Sequence, residues 1–284
     1  MLPRTRPPLK PLEEPYRGRA VPPGTTRYWS WLFADTAARD PLIGIYALTA
    51  EWRALIDPAS DASVAQIKLT WWRDEIRRLV AGSPLHPVTR YIARLPHADA
   101  ARLSELERVV EAAAAQLAGV PLERAGELEP HAGSLYGIPL LAAVQLTNPL
   151  QAGEARACIG ALAAAEYLSR ALADYRREAR AGRVPFPVDE LLAAQIDNDD
   201  LTAEHAPPRL QIYLDQLNRR AAVYFATAAH SLSSSATPEL RHLMVIATLG
   251  IQHLKGRKHP SSADFSLTDL YNAWKAARRA AAAR

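Results

Sequence analysis

Two acidic residues in the second half of the chain have the spacing of a metal site. Asp174 and Glu178 stand four positions apart in the segment ALADYRREARAGRVPFP, which puts both carboxylates on one face of a helix. Such a pair can bind Mg²⁺, a cation that takes carboxylates together with substrate phosphates. A salt-bridged, solvated face is the alternative, because five arginines surround the pair: Arg170, Arg176, Arg177, Arg180 and Arg183. The Gly182 helix end, followed by the stiff apolar exit VPFP, favours the functional interpretation.

A further candidate carboxylate lies on an earlier, apolar helix. Glu51 and Asp57 flank Arg53 in the segment IYALTAEWRALID. Arg53 and Asp57 are four positions apart, so an ion pair within the helix is one interpretation. Most of this helix faces a core, and a carboxylate on such a helix is buried more often than average. A functional role for Asp57 is therefore the other interpretation.

Other common catalytic patterns are missing from the sequence. The histidines form no metal-binding spacing, no glycine-rich phosphate loop occurs, and Ser30 has no nearby His and Asp to make it a nucleophile. The helix QIKLTWWRDEIRRL is amphipathic, and its pattern predicts Ile67, Trp71, Ile76 and Leu79 facing the core. Its tryptophans are therefore interpreted as packing residues rather than a ligand platform.

The composition predicts an all-α protein. The 284 residues are 49% hydrophobic and 23% charged, which excludes a disordered chain. The best apolar run, 159–165, is far shorter than the roughly 18 residues of a membrane span. Good helix formers are abundant, and β-branched and aromatic residues are scarce. A single cysteine, Cys158, excludes a disulfide framework, and with no signal-peptide pattern at the start we expect a cytoplasmic protein.

The net charge of +4 comes largely from the two ends of the chain. Basic residues concentrate there: Arg4, Arg6, Lys10, Arg17, Arg19, Lys275, Arg278, Arg279 and Arg284. Peripheral contact with the inner face of an anionic membrane is one interpretation, and solvated ends are the other. No nucleic-acid partner is expected, because no basic face with interleaved aromatics occurs between the ends.

The proline pattern divides the chain into two parts. Seven prolines in residues 1–24 predict an extended arm, and residues 25–284 are predicted to form one helical domain. Helices are expected at about 25–33, 41–57, 63–80, 87–94, 98–118, 121–147, 151–181, 188–196, 207–230, 237–255 and 267–283. Asp40-Pro41 is taken as the start of the second helix, and Pro130 and Pro139 should kink or divide the sixth.

Four stretches occur in a recognisable order: RYWSWLFADTAARDPLIGIYAL, HAGSLYGIPL, LSRALADYRREARAGRVPFPVDEL and NRRAAVYFATAAHSL. Their order resembles the squalene/phytoene synthase family of head-to-head prenyltransferases, from about Thr25 to Arg279. The third stretch, similar to the family's second aspartate-rich motif, is the most specific. The resemblance implies an isoprenoid-synthase-type helical fold around one central cavity. In active members, two carboxylate motifs hold Mg²⁺ ions that bridge the diphosphates of prenyl substrates.

Position by position, the resemblance implies catalytic and Mg²⁺-binding roles for Asp57, Asp174 and Glu178. Arg53 stands where the first motif has its first Asp, so this motif is degenerate, and Arg170 stands where the second motif has an Asn. These two arginines are expected to bind substrate. The resemblance extends the substrate-binding set to four more residues: Ser30, Tyr46, His131 and Arg183. His131 falls at the family's central Tyr.

Two functional hypotheses follow. The first is Mg²⁺-dependent condensation or transfer of prenyl diphosphates in isoprenoid biosynthesis, with Arg53 or Arg170 gripping diphosphate directly. The second is a catalytically inactive member that acts in respiratory-complex assembly or binds an isoprenoid lipid, because TAEWRALID, QIKLTWWRDEI and LHPV also resemble a branch containing a complex I assembly factor. In that case Arg53 and Arg170 would close the site by pairing with its carboxylates. No motif decides NADPH use or an assembly partner.

Overall fold

A computed structural model of the chain describes residues 10–57, 60–234, 237–256 and 264–282. These residues form α-helices and short turns with no strand among them, which confirms the predicted all-α class. In the first half of the chain the helices are α1 (Glu14–Ala20), α2 (Thr26–Leu32), α3 (Thr36–Ile56), α4 (Ala62–Val80), α5 (Pro87–Ile92), α6 (Ala100–Leu103), α7 (Leu106–Leu117), α8 (Leu128–Ala132) and α9 (Ile138–Thr147). In the second half they are α10 (Ala152–Arg180), α11 (Val188–Ala193), α12 (Asn198–Thr202), α13 (Pro208–Ser234), α14 (Arg241–Gly256) and α15 (Leu267–Ala282).

The N-terminal segment folds onto the body. Helix α1 packs on α3 and buries Ala20, and Leu12 and Val21 on either side of it are buried too. The prediction of an extended arm over residues 1–24 is therefore wrong for this part, whereas residues 1–9 lie outside the described residues. Pro15 stands in the first turn of α1, where its fixed φ suits a helix and its missing N–H has no partner to lose.

Helix α3 begins five residues before the predicted start at Pro41. The side chain of Asp35 accepts a hydrogen bond of 3.0 Å from Ala37 N, so Asp35 caps the helix in place of Asp40. Pro41 consequently lies inside α3, buried against the core, and the helix continues through it with one backbone hydrogen bond fewer.

Helix α4 faces the core with a different stripe from the one predicted. Ile76 and Leu79 are buried as expected, but Ile67 and Trp71 are 71% and 41% exposed. The buried apolar positions are separated alternately by four and three residues, as one helical face requires: Ala65, Leu69, Trp72, Ile76 and Leu79.

The predicted helix over 121–147 is divided, as its prolines indicate. A π-helical turn, Gly133–Gly137, separates α8 from α9, and Pro139 stands in the first turn of α9. A proline ring clashes with the carbonyl four residues before it in a regular α-helix. The wider π turn relieves this clash at Leu135 and sets the orientation of the next side chain, Tyr136.

Helices α10 and α13 run through both hydrophobic clusters of the fold. The larger cluster contains residues of every helix from α2 through α7 and of α9, α14 and α15. It also includes the first half of α10 and the end of α13. The smaller cluster joins α8, α11 and α12 to the remainder of these two long helices. Helix α10, the longest described helix at 29 residues, is therefore fixed by packing in both clusters, and so are the charged side chains that it carries.

Candidate functional site

A cavity of about 430 Å³ lies between α2, α3, α9, α10 and α14, and we call it the main cavity. One part of its wall is apolar, formed by Leu135, Pro139, Leu140 and Ile246, and another part carries charged side chains. Arg19 of α1 also reaches its wall and forms an ion pair of 2.6 Å with Glu51 of α3. A space with one apolar and one charged portion suits a ligand of the same two-part character.

The charged wall comes chiefly from one face each of α3 and α10. On α3, Tyr46 and Arg53 are seven residues apart and so share one helical face, and Asp57 follows directly after the end of the helix. On α10, Glu166 and Arg170 stand at the same spacing of four before Asp174. The two helices therefore present rows of ionisable side chains to the same space.

Five of the predicted site residues line the main cavity: Tyr46, Arg53, Asp57, Arg170 and Asp174. A sixth, Glu178, lines a smaller cavity of about 80 Å³ whose wall also includes Asp57 and Asp174. The structure thus brings together the residues of both predicted carboxylate motifs, although the motifs are more than one hundred positions apart in the sequence.

The other three predicted residues lie outside the main cavity. Ser30 is fully buried, and its hydroxyl lies 2.9 Å from the phenol oxygen of Tyr46, so it positions a lining side chain. His131 and Arg183 line a third space of about 30 Å³ together with Glu178. Burial lowers the pKa of His131, and its ring stands edge-on to Tyr167. A neutral imidazole edge-on to an aromatic ring is typical of a packing contact, so His131 is interpreted as a packing residue.

Arginines hold the three predicted metal ligands, Asp57, Asp174 and Glu178, which we call the carboxylate cluster. Arg177 bridges two of them, with N–O distances of 3.3 Å to Asp57 and 3.0 Å to Asp174. Arg183 donates to Glu178 at 2.6 Å, and both side chains of that pair are about nine-tenths buried. Burial raises the pKa of Glu178, and the hydrogen bond and charge of Arg183 offset part of that rise.

The residues of the carboxylate cluster, as placed, do not fit Mg²⁺. A hard cation needs several free oxygen ligands around one point, whereas oxygens of all three carboxylates face guanidinium groups. Within the described ranges, no three His, Cys, Asp or Glu side chains are grouped closely enough to hold a metal ion. Metal binding by Asp57, Asp174 and Glu178 therefore stays a prediction from the sequence resemblance.

Three further arginines line the main cavity, Arg27 of α2, Arg53 of α3 and Arg170 of α10, and we call them the arginine cluster. Arg27 donates to the Thr49 hydroxyl at 3.1 Å and to the Tyr46 carbonyl oxygen at 3.4 Å. The guanidinium of Arg53 lies over the ring of Tyr136, 5.0 Å from its centre. A cation on an aromatic face is stabilised without being neutralised.

Sequence reasoning singled out neither Arg27 nor Arg177 as a site residue. Arg27 lies within the first of the resembling stretches, but one residue on a short helix shows no spacing to identify it. Arg177 lies between the two carboxylates of α10, where the surface ion pair predicted for the surrounding arginines is the one it makes with Asp174. Its second contact, to Asp57, depends on how α3 and α10 are packed.

Comparisons with known proteins agree with this architecture. The family model for squalene/phytoene synthase matches residues 21–258 of the chain. A crystal structure of a dehydrosqualene synthase in complex with ligand is similar with a TM-score of 0.69 at 14% identity, covering 90% of each chain. Squalene synthase HpnC from Alicyclobacillus acidocaldarius is similar with a TM-score of 0.61 at 21% identity, covering 80% of this chain and 86% of that one. No curated protein sequence matches the chain.

The two structural similarities show the isoprenoid-synthase-type helical fold, and the family model matches well over half of the chain. The four resembling stretches lie within the residues that the family model matches. The protein belongs to the squalene/phytoene synthase family.

Proposed function

We propose that the protein binds an isoprenoid diphosphate in the main cavity, with the diphosphate at the arginine cluster and the hydrocarbon chain on the apolar wall. The observation that carries the proposal is the continuity of these two surfaces within one space of about 430 Å³. That volume lies in the range of about 300–1,000 Å³ found for small-molecule pockets. Family membership supports a prenyl chain as the apolar part.

The reaction we propose is transfer or condensation of the prenyl group in isoprenoid biosynthesis. When the carbon–oxygen bond to the diphosphate breaks, its electron pair leaves with the diphosphate and an allylic cation remains. Guanidinium groups stabilise the charge of the departing diphosphate, and the wall formed by Leu135, Leu140 and Ile246 keeps water from the cation. Dependence of the condensation on Mg²⁺ remains a prediction from the resemblance, since Arg177 and Arg183 would have to release their carboxylates first.

Incubation with farnesyl or geranylgeranyl diphosphate, with and without Mg²⁺ and NADPH, tests the proposal. Lipid products and released pyrophosphate would be analysed, and binding measured separately with a non-hydrolysable thiodiphosphate analogue. We expect the analogue to bind, and binding to weaken when Leu140 of the apolar wall is replaced by Asp. The exposed Leu150 provides the matched control, Leu150→Asp. The absence of both product formation and analogue binding would contradict the proposal.

The same experiment separates the second hypothesis from the first. A catalytically inactive member that binds an isoprenoid lipid would bind the analogue and release no pyrophosphate under any condition. Action in respiratory-complex assembly, and any assembly partner, remain predictions of the sequence resemblance alone.

We also propose that the protein contacts a membrane peripherally through the outer face of α15, at its basic C-terminal end. Leu267, Tyr271 and Trp274 follow one another at helical spacing and are 75%, 55% and 43% exposed. Lys275 lies over the Tyr271 ring and Arg278 over the Trp274 ring. Aromatic side chains beside basic ones match the boundary of an anionic bilayer, where each Lys or Arg contributes about 1 kcal/mol. Arg284 at this end, like Arg4 and Arg6 at the other, lies outside the described residues.

Co-sedimentation with vesicles tests this contact. We expect the protein to pellet with vesicles that contain phosphatidylglycerol and less with vesicles of phosphatidylcholine alone. Leu267→Ala should reduce binding, whereas Leu150→Ala, at the 87% exposed Leu150, should not. Equal effects of the two variants would contradict the assignment to α15. No described helix is long and apolar enough to cross a membrane, and a cytoplasmic location stays a prediction.

A further inference from the structure

The three guanidinium groups of the arginine cluster lie close enough to perturb one another. Burial lowers the pKa of Arg27 to about 10, and the charge of Arg170 contributes to the shift. Burial also lowers the pKa of Arg53 well below its usual value, with further contributions from Arg170 and Arg27. The consecutive helices α2 and α3 and the distant helix α10 therefore bring three like charges into one poorly solvated space.

The neighbouring side chains balance only part of this charge. Among the groups that act on Arg27 and Arg53, Glu166 is the carboxylate. Arg27 is held by a hydroxyl and a backbone carbonyl, and Arg53 by an aromatic face. The buried Nε of Arg170 has no hydrogen-bond partner within the described part of the chain. The wall of the main cavity as a whole carries five arginines and three carboxylates, and at least one N–H donor in the arginine cluster is left for another acceptor.

Buried, uncompensated charge is unfavourable, so a cluster of this kind is stabilised by an anion that brings its own oxygen acceptors. Guanidinium groups bind phosphate oxygens through paired N–H donors, which gives geometric as well as electrostatic selectivity. A diphosphate group carries several charged oxygens and can therefore accept hydrogen bonds from more than one arginine. Its match to the cluster is better than that of a single carboxylate.

We propose that Arg27, Arg53 and Arg170 together form a diphosphate-binding site that works without a metal ion. The arginines take the place that Mg²⁺ was expected to fill, and the carboxylate cluster beside them remains paired with Arg177 and Arg183. Identification of the ligand as an isoprenoid diphosphate rests on the function proposed above. Binding of the inorganic diphosphate ion does not depend on that proposed function.

Isothermal titration calorimetry on the full chain tests the site, in buffer that contains EDTA. Inorganic pyrophosphate is the first ligand, and farnesyl diphosphate and farnesol are the second and third. We expect pyrophosphate to bind without metal, and each of Arg27→Met, Arg53→Met and Arg170→Met to weaken it at least about tenfold, which equals about 1.4 kcal/mol. Arg108, a 60% exposed arginine on α7, gives the control Arg108→Met, which makes the same change in net charge and should leave affinity unchanged.

The outcomes separate this inference from the proposed function. Pyrophosphate that binds only when Mg²⁺ is added, or that binds the three variants as well as the parent, overturns the metal-independent site. Farnesyl diphosphate that binds no more tightly than pyrophosphate would leave the arginine site intact and count against an isoprenoid ligand. Because the three arginines lie on separate helices, a variant that fails to fold, as judged by circular dichroism, leaves the other two to decide.

Discussion

The arginine cluster and the carboxylate cluster are neighbours in one site, yet their charges are balanced differently. Each acidic side chain of the carboxylate cluster has an arginine within 3.3 Å. The wall of the main cavity as a whole carries five arginines and three carboxylates, so part of the positive charge around the arginine cluster is left unbalanced. Ion pairs fix side chains in place, whereas unbalanced charge favours a ligand of opposite sign. This difference supports the proposal that the carboxylates stabilise the site and that the arginines bind the ligand.

Removal of Arg183 is expected to have the largest effect on stability. Arg183→Met leaves the buried carboxylate of Glu178 without its cation, and the free energy of unfolding should fall by about 3–5 kcal/mol. Chemical denaturation measures the change. The double variant with Glu178→Gln should regain most of the loss, since it removes the stranded charge. If the free energy of unfolding falls no more than it does when an exposed arginine is replaced, the ion pair between Arg183 and Glu178 does not stabilise the carboxylate cluster.

The Arg183→Met variant should also change how stability depends on pH. Burial raises the pKa of Glu178, and without Arg183 that rise is less opposed. The folded variant then binds a proton more readily than the folded parent does, so the added instability is fully present above the folded pKa of the variant. Its pH-dependent part is lost as the pH falls to the folded pKa of the parent, which itself lies above the ordinary value of 4.5. Between these limits, each unit by which the pH falls should raise the free energy of unfolding of the variant, relative to that of the parent, by up to about 1.4 kcal/mol. Parallel curves of unfolding free energy against pH would contradict this.

Removal of Arg53 should have the opposite sign. Arg53→Met takes one of three like charges from the arginine cluster and keeps an apolar side chain against Tyr136, so the free energy of unfolding should rise by about 1 kcal/mol. Thermal unfolding in the absence of ligand measures it, with Arg108→Met as the control. A destabilised Arg53→Met protein would mean that the cluster is already balanced.

The smallest stability effect is expected at Arg177, whose side chain is 50% exposed. Arg177→Gln should change the free energy of unfolding by less than about 1 kcal/mol, but it removes the cation that bridges Asp57 and Asp174. We therefore expect the variant to bind Mn²⁺ more tightly than the parent does, as measured by electron paramagnetic resonance. The exposed Arg180 on the same helix gives the control Arg180→Gln. Unchanged Mn²⁺ affinity would show that the two carboxylates cannot share an ion.

Sequence periodicity predicted the helices well because one physical pattern determines them. Helix α10 lies within a residue or so of its predicted range at each end, and the four-residue spacing of Asp174 and Glu178 could be read directly from the sequence. The start of α3 was wrong because Asp35 and Asp40 are equally good caps by residue type. The inward face of α4 was misjudged because two adjacent tryptophans fit either of two stripes.

The site was predicted less completely, because its electrostatics depend on packing between helices. The family resemblance brought Arg53, Asp57, Arg170 and Asp174 to one cavity, where the structure places them. The pairing of Asp57 with Arg177 joins residues 120 positions apart, and no local spacing encodes it. Arg27 likewise acquires its meaning from two arginines on other helices.

Helix α1 has a practical consequence for work with this protein. The seven prolines of residues 1–24 suggest a disposable tail that could be removed from the chain. Such a shortened chain would lose Arg19 and Pro22 from the wall of the main cavity and the ion pair between Arg19 and Glu51. It would also expose the surface of α3 that Ala20 and its neighbours cover. Ligand affinities measured on the trimmed chain would then describe a cavity with part of its wall missing.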